Sequence, residues 1–370
     1  MIHLNLCCIF NYAPHYRKAI YQAMDRELEC DFYFGDSVFM PLKKMDYTKL
    51  NGFKGELKTR KWRSFKWYSG ISRALSRNYT CYLINGDSLN LSDWLILFYC
   101  LITKKKLFLW CHGLKRPPSW KWKYISRHLY RNARGGIFLY SNYSRNLMIR
   151  EGLKADKLHV IYNSLDYGRQ LELRTQMEDS DIFHSHFSNS DPVIIFIGRL
   201  TKGKRLALLL EAQVILLKRG VSVNLVLVGS GEMEEKLKES AEIKGLLNRI
   251  WFYGPTYDEK EIATLLYNSS LTVSPGNVGL TAMHSLMYGT PVITHSSFEL
   301  QMPEFEAIRP GKNGDFFREG DMEDLSSAIQ NWISTHSSRG QIRQQCYEVM
   351  DAYYNTHYQI GLIKRVMLTA

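Results

Sequence analysis

The chain has 370 residues, of which 45% are hydrophobic and 23% charged, and its formal net charge is +12. This composition excludes a wholly disordered chain and a collagen-like repeat. It also excludes a multi-span membrane protein, because the longest apolar run, Trp94–Ile102, is much shorter than the roughly 20 residues of a spanning helix. The length predicts two domains, since single cores rarely grow beyond about 200 residues.

The N-terminus has neither a basic segment nor a small-residue cleavage site, so we predict no secretory signal. The seven cysteines are an odd number without C-x-x-C spacing. This usage is typical of a reducing compartment, and we expect a cytoplasmic protein.

Short apolar runs alternate with helix-length amphipathic stretches along most of the chain. Such runs are typical of parallel strands that helices cover on both faces. In the first half the predicted strands are Ile2–Phe10, Phe32–Phe34, Cys81–Ile84, Leu107–Trp110, Ile137–Tyr140 and Val160–Tyr162. In the second half they are Val193–Gly198, Val223–Val228, Ile250–Tyr253, Leu271–Ser274 and Pro291–Ile293. The pattern predicts an α/β protein with two doubly wound, Rossmann-like domains.

The domain boundaries follow from a change of composition in the middle of the chain. Residues 178–192 are polar and rich in Ser, Asp and His, without a period. We therefore predict an N-terminal domain over 1–170, a linker over 171–191 and a C-terminal domain over 192–345. The helix-like segment 346–370 is expected to pack back on the first domain.

Three segments of the second half carry candidate binding residues. The first follows a predicted strand and places Arg199 and Lys204 five residues apart in a basic loop after Gly198. Two cations at the end of a strand suit a diphosphate, because Arg forks onto two oxygens and Lys adds a point charge. The alternative is a solvated basic loop.

The second segment ends a strand at Gly229 and continues through Gly231 into a helix. Glycines let backbone N–H groups approach a ligand closely, which makes these two candidate donor-binding residues. The alternative is a plain turn, because the motif is shorter than a full dinucleotide fingerprint.

The third segment leads from a strand through Asn277 and Val278 to a helix that Gly279 opens and Gly289 closes. The first N–H groups of a helix suit phosphate, so Val278, Gly279, Leu280 and Thr281 are candidate ligands. Helical spacing puts Thr281, His284, Ser285 and Tyr288 on one face, which is a candidate surface for a sugar or ribose. The alternative for His284 is an ordinary buried histidine.

Taken in this order, the three segments resemble the nucleotide-sugar-binding domain of family-4 glycosyltransferases, group 1 enzymes of the GT-B fold. The resemblance includes Asn163–Asp166, Pro303–Glu304 and the glycine spacing of Gly311–Leu325. It implies two Rossmann-like domains that face an inter-domain cleft. It further implies a retaining transfer from a nucleotide-diphosphate sugar to a glycan acceptor in bacterial cell-surface polysaccharide synthesis, with no metal and no cofactor besides the donor.

One departure from the family affects the donor site. Alignment on Gly279 and Gly289 puts Gly276 and His284 where the family has the two carboxylates of its Glu-x7-Glu motif. By the resemblance, His284 would take over a ribose contact, and Asn277 or backbone N–H groups would hold the sugar. Two alternatives stay open, a non-catalytic GT-B partner subunit and a GT-B sugar-nucleotide epimerase.

The first half supplies the candidate acceptor side. His112 follows a predicted strand, and by the resemblance it faces the donor sugar as a catalytic residue. The family places acceptor contacts in the loop after the first strand, which holds Asn11, Tyr12 and His15, and Asp87 follows another strand. The pair Asp179 and Asp181 imitates a metal motif but lies in the predicted linker, so we expect no metal there.

The first half is also strongly basic. It holds 29 of the 48 Lys and Arg but only 12 of the 36 Asp and Glu, counted over residues 1–170. Tryptophans and tyrosines alternate with cations in 61–68 and 101–136, which favours an anionic membrane surface. We expect a peripheral protein on the inner face of the cytoplasmic membrane with a lipid-linked acceptor. The alternatives are a nucleic-acid surface, for which no signature motif is present, and a solvated face.

Overall fold

The computed structural model describes residues 5–37, 43–116 and 120–369, without the side chains of 120–123. The described chain forms two compact units. Unit 1 comprises Met1–Tyr167 and Tyr353–Ala370, and unit 2 comprises Gly168–Ala352.

Unit 1 is built on one eight-stranded sheet. Its elements are β1 (Leu6–Phe10), α1 (Lys18–Leu28), β2 (Asp31–Gly35), β3 (Phe53–Trp62), β4 (Phe65–Ser69), α2 (Ser72–Leu75), β5 (Cys81–Ile84), α3 (Leu91–Thr103), β6 (Lys106–Cys111), α4 (Trp120–Asn132), β7 (Gly136–Leu139), α5 (Asn142–Arg150) and β8 (Leu158–Val160). The strand order is β4-β3-β2-β1-β5-β6-β7-β8. All neighbours are parallel except the β3–β4 hairpin.

Helices cover both faces of this sheet, and alternate residues of a strand therefore enter different cores. Along β1, Cys8 and Phe10 pack with α1, while Cys7 and Ile9 belong to the core on the opposite face. Burial on both faces explains why the central strands are continuous apolar runs in the sequence.

Unit 2 follows with α6 (Tyr167–Thr175), which begins on the last residue of unit 1. Its other elements are α7 (Ile182–Phe187), β9 (Val193–Ile197), α8 (Ala207–Lys218), β10 (Asn224–Val228), α9 (Glu234–Ile243), β11 (Ile250–Gly254), α10 (Glu259–Asn268), β12 (Leu271–Ser274), α11 (Leu280–Met287), β13 (Val292–His295), β14 (Gly314–Phe317), α12 (Met322–Thr335) and α13 (Arg339–Ala352). The order of its parallel sheet is β11-β10-β9-β12-β13-β14. The expected pair of doubly wound α/β domains is therefore confirmed.

The chain returns to unit 1 through α14 (Thr356–Thr369). Ile360 and Ile363 are buried in the same core as β1, and α14 packs against α1. Gln359 accepts a hydrogen bond from the hydroxyl of Ser164 at 2.6 Å and donates one to the carbonyl of Tyr162 at 2.7 Å. The return begins at Tyr353, whereas the segment predicted from the sequence begins at residue 346.

The range 171–191 differs from the linker that its polar composition predicts. It contains most of α6 and all of α7, and Leu173, Phe183 and Phe187 are buried in the core of unit 2 beside β9. The spacing of these three apolar residues is too sparse to be recognised among the Ser, Asp and His residues.

Three strands have no counterpart among the predicted runs. In β3 one face is exposed and carries Lys54, Lys58 and Arg60, β4 exposes Trp67, and β14 is only four residues long. The predicted strand Val160–Tyr162 is shifted by two residues from the observed β8 and shares only Val160 with it. Within the described residues, no helix combines the length and the apolar character needed to cross a membrane.

Candidate functional site

Lys204 lies at the end of a short 3-10 turn that follows β9. Its Nζ donates to the backbone carbonyl of Asn277 at 2.7 Å and to Oδ1 of the same residue at 2.9 Å. Burial, together with the positive charge of Arg199, lowers the pKa of Lys204 to about 8. Glu304 acts in the opposite direction, since its negative charge favours the ammonium form.

Arg199 is exposed at the surface of unit 2, directly after Gly198. It is close enough to Lys204 for the two charges to repel each other, as the pKa of Lys204 shows. Two cations kept in mutual repulsion are stabilised by an anion that contacts both. The structure therefore brings together the two residues that the sequence predicts for a diphosphate.

The glycines of the two strand ends allow two loops to approach closely. A Cβ on Gly229 would lie 1.9 Å from the carbonyl oxygen of Gly198, and a Cβ on Gly231 would lie 2.4 Å from that of Leu200. Real Cβ atoms do not approach so closely, so these positions require glycine. Loop packing accounts for both glycines, and a direct contact with a donor stays a prediction.

Steric crowding explains why residue 276 is glycine rather than the glutamate of the Glu-x7-Glu motif. A Cβ at this position would lie 2.2 Å from the carbonyl oxygen of Gly203 and 2.8 Å from Cα of Lys204. The backbone N–H of Gly276 donates to the carbonyl of Lys204 at 3.0 Å. The turn that carries Lys204 thus occupies the space that a side chain at residue 276 would need.

The start of α11 differs in one respect from the expected anion cradle. The N–H of Val278 donates to Oε1 of Gln301 at 2.7 Å, so the expected role of this group as a ligand donor is wrong. The Oγ1 of Thr281 donates to the carbonyl of Ile197 at 2.8 Å and joins the helix start to β9. The backbone N–H groups of Gly279, Leu280 and Thr281 keep the donor positions of a first helical turn.

The predicted polar face of α11 is mostly internal. Ser285 is fully buried and shares a hydrogen bond of 2.8 Å with Thr272, and Tyr288 is fully buried as well. Only Thr281 and His284 of the four residues are partly exposed. The face therefore joins α11 to its neighbours, contrary to the expectation that all four side chains are available to a sugar.

A carboxylate that is not among the predicted site residues lies beside His284. Oε1 of Glu259 accepts hydrogen bonds of 2.7 Å from Gln170 and 2.7 Å from Tyr288, and it lies 3.3 Å from Nδ1 of His284. Burial alone raises the pKa of Glu259, but these hydrogen bonds and the imidazole outweigh it and lower the pKa to about 2. Glu259 belongs to the first turn of α10, and nothing in its local sequence pairs it with α11.

Unit 1 contains a cavity of about 450 Å³ at the carboxyl ends of β1, β5 and β6. It brings together four of the residues predicted from the first half, namely Asn11, Tyr12, Asp87 and His112. His15 is not among the lining residues; it is exposed, and its Nδ1 lies 3.3 Å from the carbonyl oxygen of Lys43. The sequence missed the aromatic part of the wall, which consists of Tyr16, Tyr68, Trp110, Tyr130 and Tyr140.

His112 is positioned by its backbone and by one aromatic neighbour. Its carbonyl accepts a hydrogen bond from Oγ of Ser144 at 2.8 Å, and its ring centroid lies 4.8 Å from that of Tyr140. Gly113 follows with φ +62°, and a Cβ there would lie 2.2 Å from Oγ of Ser144.

The His112 ring is accessible from the cavity, yet the protein atoms around it remove much of its hydration. This burial, with the charges of Arg17 and Lys115, lowers the pKa of His112 to about 3. The imidazole is therefore neutral at pH 7.

Asp87 contacts Lys66 across the wall of the cavity, at 2.8 Å between Oδ2 and Nζ. Its backbone N–H donates to the buried carboxyl of Asp93 at 2.8 Å. Burial raises the pKa of Asp93 to about 8. The polar floor is therefore fixed by contacts within the protein.

The described residues contain no group of three or more His, Cys, Asp or Glu side chains that could hold a metal ion. Asp179 instead pairs with Arg343 at 3.0 Å. The expectation that no metal or cofactor takes part stays a prediction.

Comparison with known families decides the nature of unit 2. Residues 177–349 match the model of the family Glycosyl transferases group 1. Unit 2 is a group 1 glycosyl transferase domain. The predicted resemblance is therefore confirmed for this domain.

Two curated relatives share sequence similarity with this chain. An uncharacterised glycosyltransferase of Methanocaldococcus jannaschii is 29% identical over 147 residues, which is 38% of this chain and 37% of the relative. The poly(ribitol-phosphate) alpha-N-acetylglucosaminyltransferase of Staphylococcus aureus is 21% identical over 321 residues, 79% of this chain and 63% of the relative. The chain thus spans less than two thirds of the length of either relative.

The whole chain also resembles solved structures. The Anabaena protein HepE in complex with UDP superposes with a TM-score of 0.73 at 15% identity, over 99% of this chain and 100% of HepE. At this level of identity the likeness establishes the fold, which is GT-B, as the sequence predicts.

Proposed function

We propose that this glycosyl transferase moves a sugar from a nucleotide-diphosphate donor, bound by unit 2, to a glycan acceptor held by unit 1. The reaction retains the anomeric configuration, and the acceptor is a lipid-linked glycan of bacterial cell-surface polysaccharide synthesis. Support comes from the group 1 domain, from a relative named as a poly(ribitol-phosphate) alpha-N-acetylglucosaminyltransferase, and from the shared fold of HepE, which was solved in complex with UDP.

The observation that carries the proposal is the pair of cations after β9: Lys204, held at 2.7 Å by the carbonyl of Asn277, and the exposed Arg199, whose charge helps to lower the pKa of Lys204. Departure of a diphosphate from the anomeric carbon leaves negative charge on the phosphate oxygens. Cations already in place stabilise that charge more than they stabilise the ground state, and this difference lowers the barrier. In this proposal the two cations perform the task that other transferases give to a metal ion.

The resemblance to family 4 suggests how configuration is retained. The acceptor hydroxyl attacks the anomeric carbon on the face from which the diphosphate departs. The bond to the diphosphate breaks, the glycosidic bond forms, and the proton passes to the departing phosphate oxygen. No side chain needs to act as nucleophile.

The test is a panel of nucleotide sugars incubated with the purified protein, with release of nucleoside diphosphate as the measurement. We expect slow hydrolysis of one donor, and we expect Arg199→Ala to abolish it without loss of fold. Lys202→Ala is the matched control, because Lys202 is an exposed cation of the same turn. The proposal fails if no donor is hydrolysed and no nucleoside diphosphate raises the melting temperature, which is the result expected of a non-catalytic partner subunit.

We further propose that unit 1 binds an anionic membrane surface through α3. Four apolar side chains on one face of this helix are exposed: Leu91 (44%), Leu95 (38%), Phe98 (57%) and Ile102 (82%). Lys104–Lys106 follow directly, and the neighbouring helix α4 exposes Tyr124 and Ile125. An apolar face bordered by cations suits the boundary between acyl chains and anionic headgroups. The side chains of Trp120 and Trp122 lie outside the described residues.

Vesicle sedimentation tests the membrane surface. Wild-type protein is expected to bind vesicles containing anionic lipid more tightly than zwitterionic vesicles, and Phe98→Glu with Ile102→Glu is expected to remove binding. Ile243→Glu in unit 2 is the control, because Ile243 is an equally exposed apolar residue at 85%. Equal binding by all three proteins would refute the assignment to α3.

A further inference from the structure

The cavity of unit 1 contains an arginine without an acidic partner. Arg17 lines the wall at the start of α1, and its Nη2 donates to the hydroxyl of Tyr140. Its guanidinium carbon lies 5.2 Å from the ring centroid of Trp110 and 5.3 Å from that of Tyr140. Every Asp and Glu of the chain lies in the described residues, and none forms a salt bridge with Arg17.

Two other partly buried arginines are paired with carboxylates. Arg174, with 11% of its side chain exposed, contacts Asp351 through two hydrogen bonds of 2.9 Å. Arg249 contacts Asp191 at 2.7 Å. Because a partly buried guanidinium loses hydration, it normally gains a carboxylate in return. Arg17 has aromatic faces and one phenol instead, and these leave its positive charge uncompensated.

The rest of the lining does not supply the missing negative charge. Asp87 is the one acidic residue among the described lining residues, and it is paired with Lys66 at 2.8 Å. The indole N–H of Trp110 is buried and has no acceptor among the described residues. The first turn of α1 contains no acidic residue. The cavity therefore has hydrogen-bond donors and positive charge in excess.

We propose that the cavity binds an oxyanion, a phosphate ester or a carboxylate, carried by the sugar acceptor, and that Arg17 is its principal ligand. The acceptor assignment rests on the proposed function, whereas the oxyanion site rests on the cavity alone. The aromatic walls suit the apolar face of a sugar ring, and Asn11 and Asp87 are in place to contact hydroxyl groups. A guanidinium fork fits both phosphate and carboxylate.

The experiment compares three sugars that differ in charge: glucose, glucose 6-phosphate and glucuronate. Dissociation constants are measured by calorimetry on the full-length protein. We expect at least one anionic sugar to bind about tenfold or more tightly than glucose, since hydrogen bonds to charged groups are the stronger ones. Comparison of the two anions separates a phosphate site from a carboxylate site. Equal affinity for all three sugars would overturn the proposal.

Variants assign the effect to one residue. Arg17→Gln is expected to remove the preference for the anion, and Arg17→Lys to keep part of it, because Lys retains the charge but not the fork. Arg26→Gln on the exposed side of α1 is the control and should keep the full preference. If Arg17→Gln fails to fold, Arg17→Lys still decides, because full anion affinity in that variant refutes the role of the fork.

Binding of a nucleoside diphosphate to the same proteins separates this proposal from the proposed function. If the wild-type protein does not bind a nucleoside diphosphate, the donor site in unit 2 is refuted, but the proposal of an oxyanion site in unit 1 is unaffected. Retained diphosphate binding without any anion preference would refute only the oxyanion site.

Discussion

Nδ1 of His284 lies 3.3 Å from Oε1 of Glu259, so a carboxylate from α10 meets the imidazole of α11. A carboxylate can only accept a hydrogen bond, and we therefore assign the proton to Nδ1, although Nε2 of Gln170 also lies 3.2 Å from that nitrogen. The charged acceptor is the stronger of the two. Nε2 of His284 is then a hydrogen-bond acceptor, which is the property that the family's second carboxylate provides.

The first prediction concerns this contact. Glu259→Gln is expected to weaken binding of a nucleoside diphosphate by about tenfold, because the imidazole loses the group that fixes its tautomer. Calorimetry measures the affinity, and nitrogen NMR of His284 reports the tautomer. Glu239→Gln, an exposed carboxylate on α9, should change neither. Unchanged affinity together with an unchanged tautomer in Glu259→Gln would show that Glu259 only packs.

The second prediction concerns Lys204, whose pKa is lowered to about 8. Below pH 8 the ammonium form is already present, and the affinity for a nucleoside diphosphate should be constant. Above pH 8 an increasing fraction of Lys204 is neutral and must take up a proton before it can bind the anion. The affinity should therefore fall by up to about tenfold per pH unit. Lys204→Arg remains charged and is expected to abolish this decline. A wild-type affinity that is constant from pH 7 to 9.5 would contradict the prediction.

The third prediction concerns the missing carboxylate. Gly276→Ala should lower the free energy of unfolding by about 1–3 kcal/mol, because the new methyl group overlaps the backbone of Gly203. Gly276→Glu should likewise destabilise the protein and should not improve donor binding. Urea unfolding measures both variants. Gly340→Ala, where no atom lies within 4 Å of the added Cβ, should stay within about 0.5 kcal/mol of the wild type. A Gly276→Glu variant as stable as the wild type would contradict the prediction, because the turn of Gly203 and Lys204 would then have moved to accommodate the side chain.

The fourth prediction concerns His112, which is neutral at pH 7 because its pKa is lowered to about 3. The pH dependence of kcat/KM should therefore show no inflection from this residue between pH 5 and 8. His112→Asn should lower the rate without changing the shape of the profile. His15→Asn, at an exposed position, should leave the rate unchanged. An acidic limb near pH 6.5 that disappears in His112→Asn would mean that the ring titrates during the reaction.

Much of the fold could be predicted because the central strands are buried on both faces. Continuous apolar runs such as Leu271–Ser274 can be recognised in the sequence for that reason. In the same way, the end of the run that forms β9 locates the loop of Arg199 and Lys204. The β3–β4 hairpin was not recognised because one of its faces is solvated. In the linear sequence Lys66 and Tyr68 belong to the basic aromatic segment 61–68, but strand alternation directs both into the cavity.

The parts of the site that were missed depend on contacts between distant segments. Glu259 meets His284 only because α10 and α11 lie side by side. The close approach of Gly276 to the turn of Gly203 and Lys204 is a backbone contact between two loops. The isolation of Arg17 from every carboxylate is likewise a property of tertiary structure, since a sequence does not say which charges stay unpaired.

The position of α14 affects how the chain is made. The helix completes the core of unit 1 beside α1, yet it is synthesised only after the whole of unit 2. Unit 2, contained entirely within 168–352, is synthesised earlier and has all its strands available before α14 appears. Unit 2 can therefore be expected to fold during synthesis before the core of unit 1 is complete, because that core needs α14.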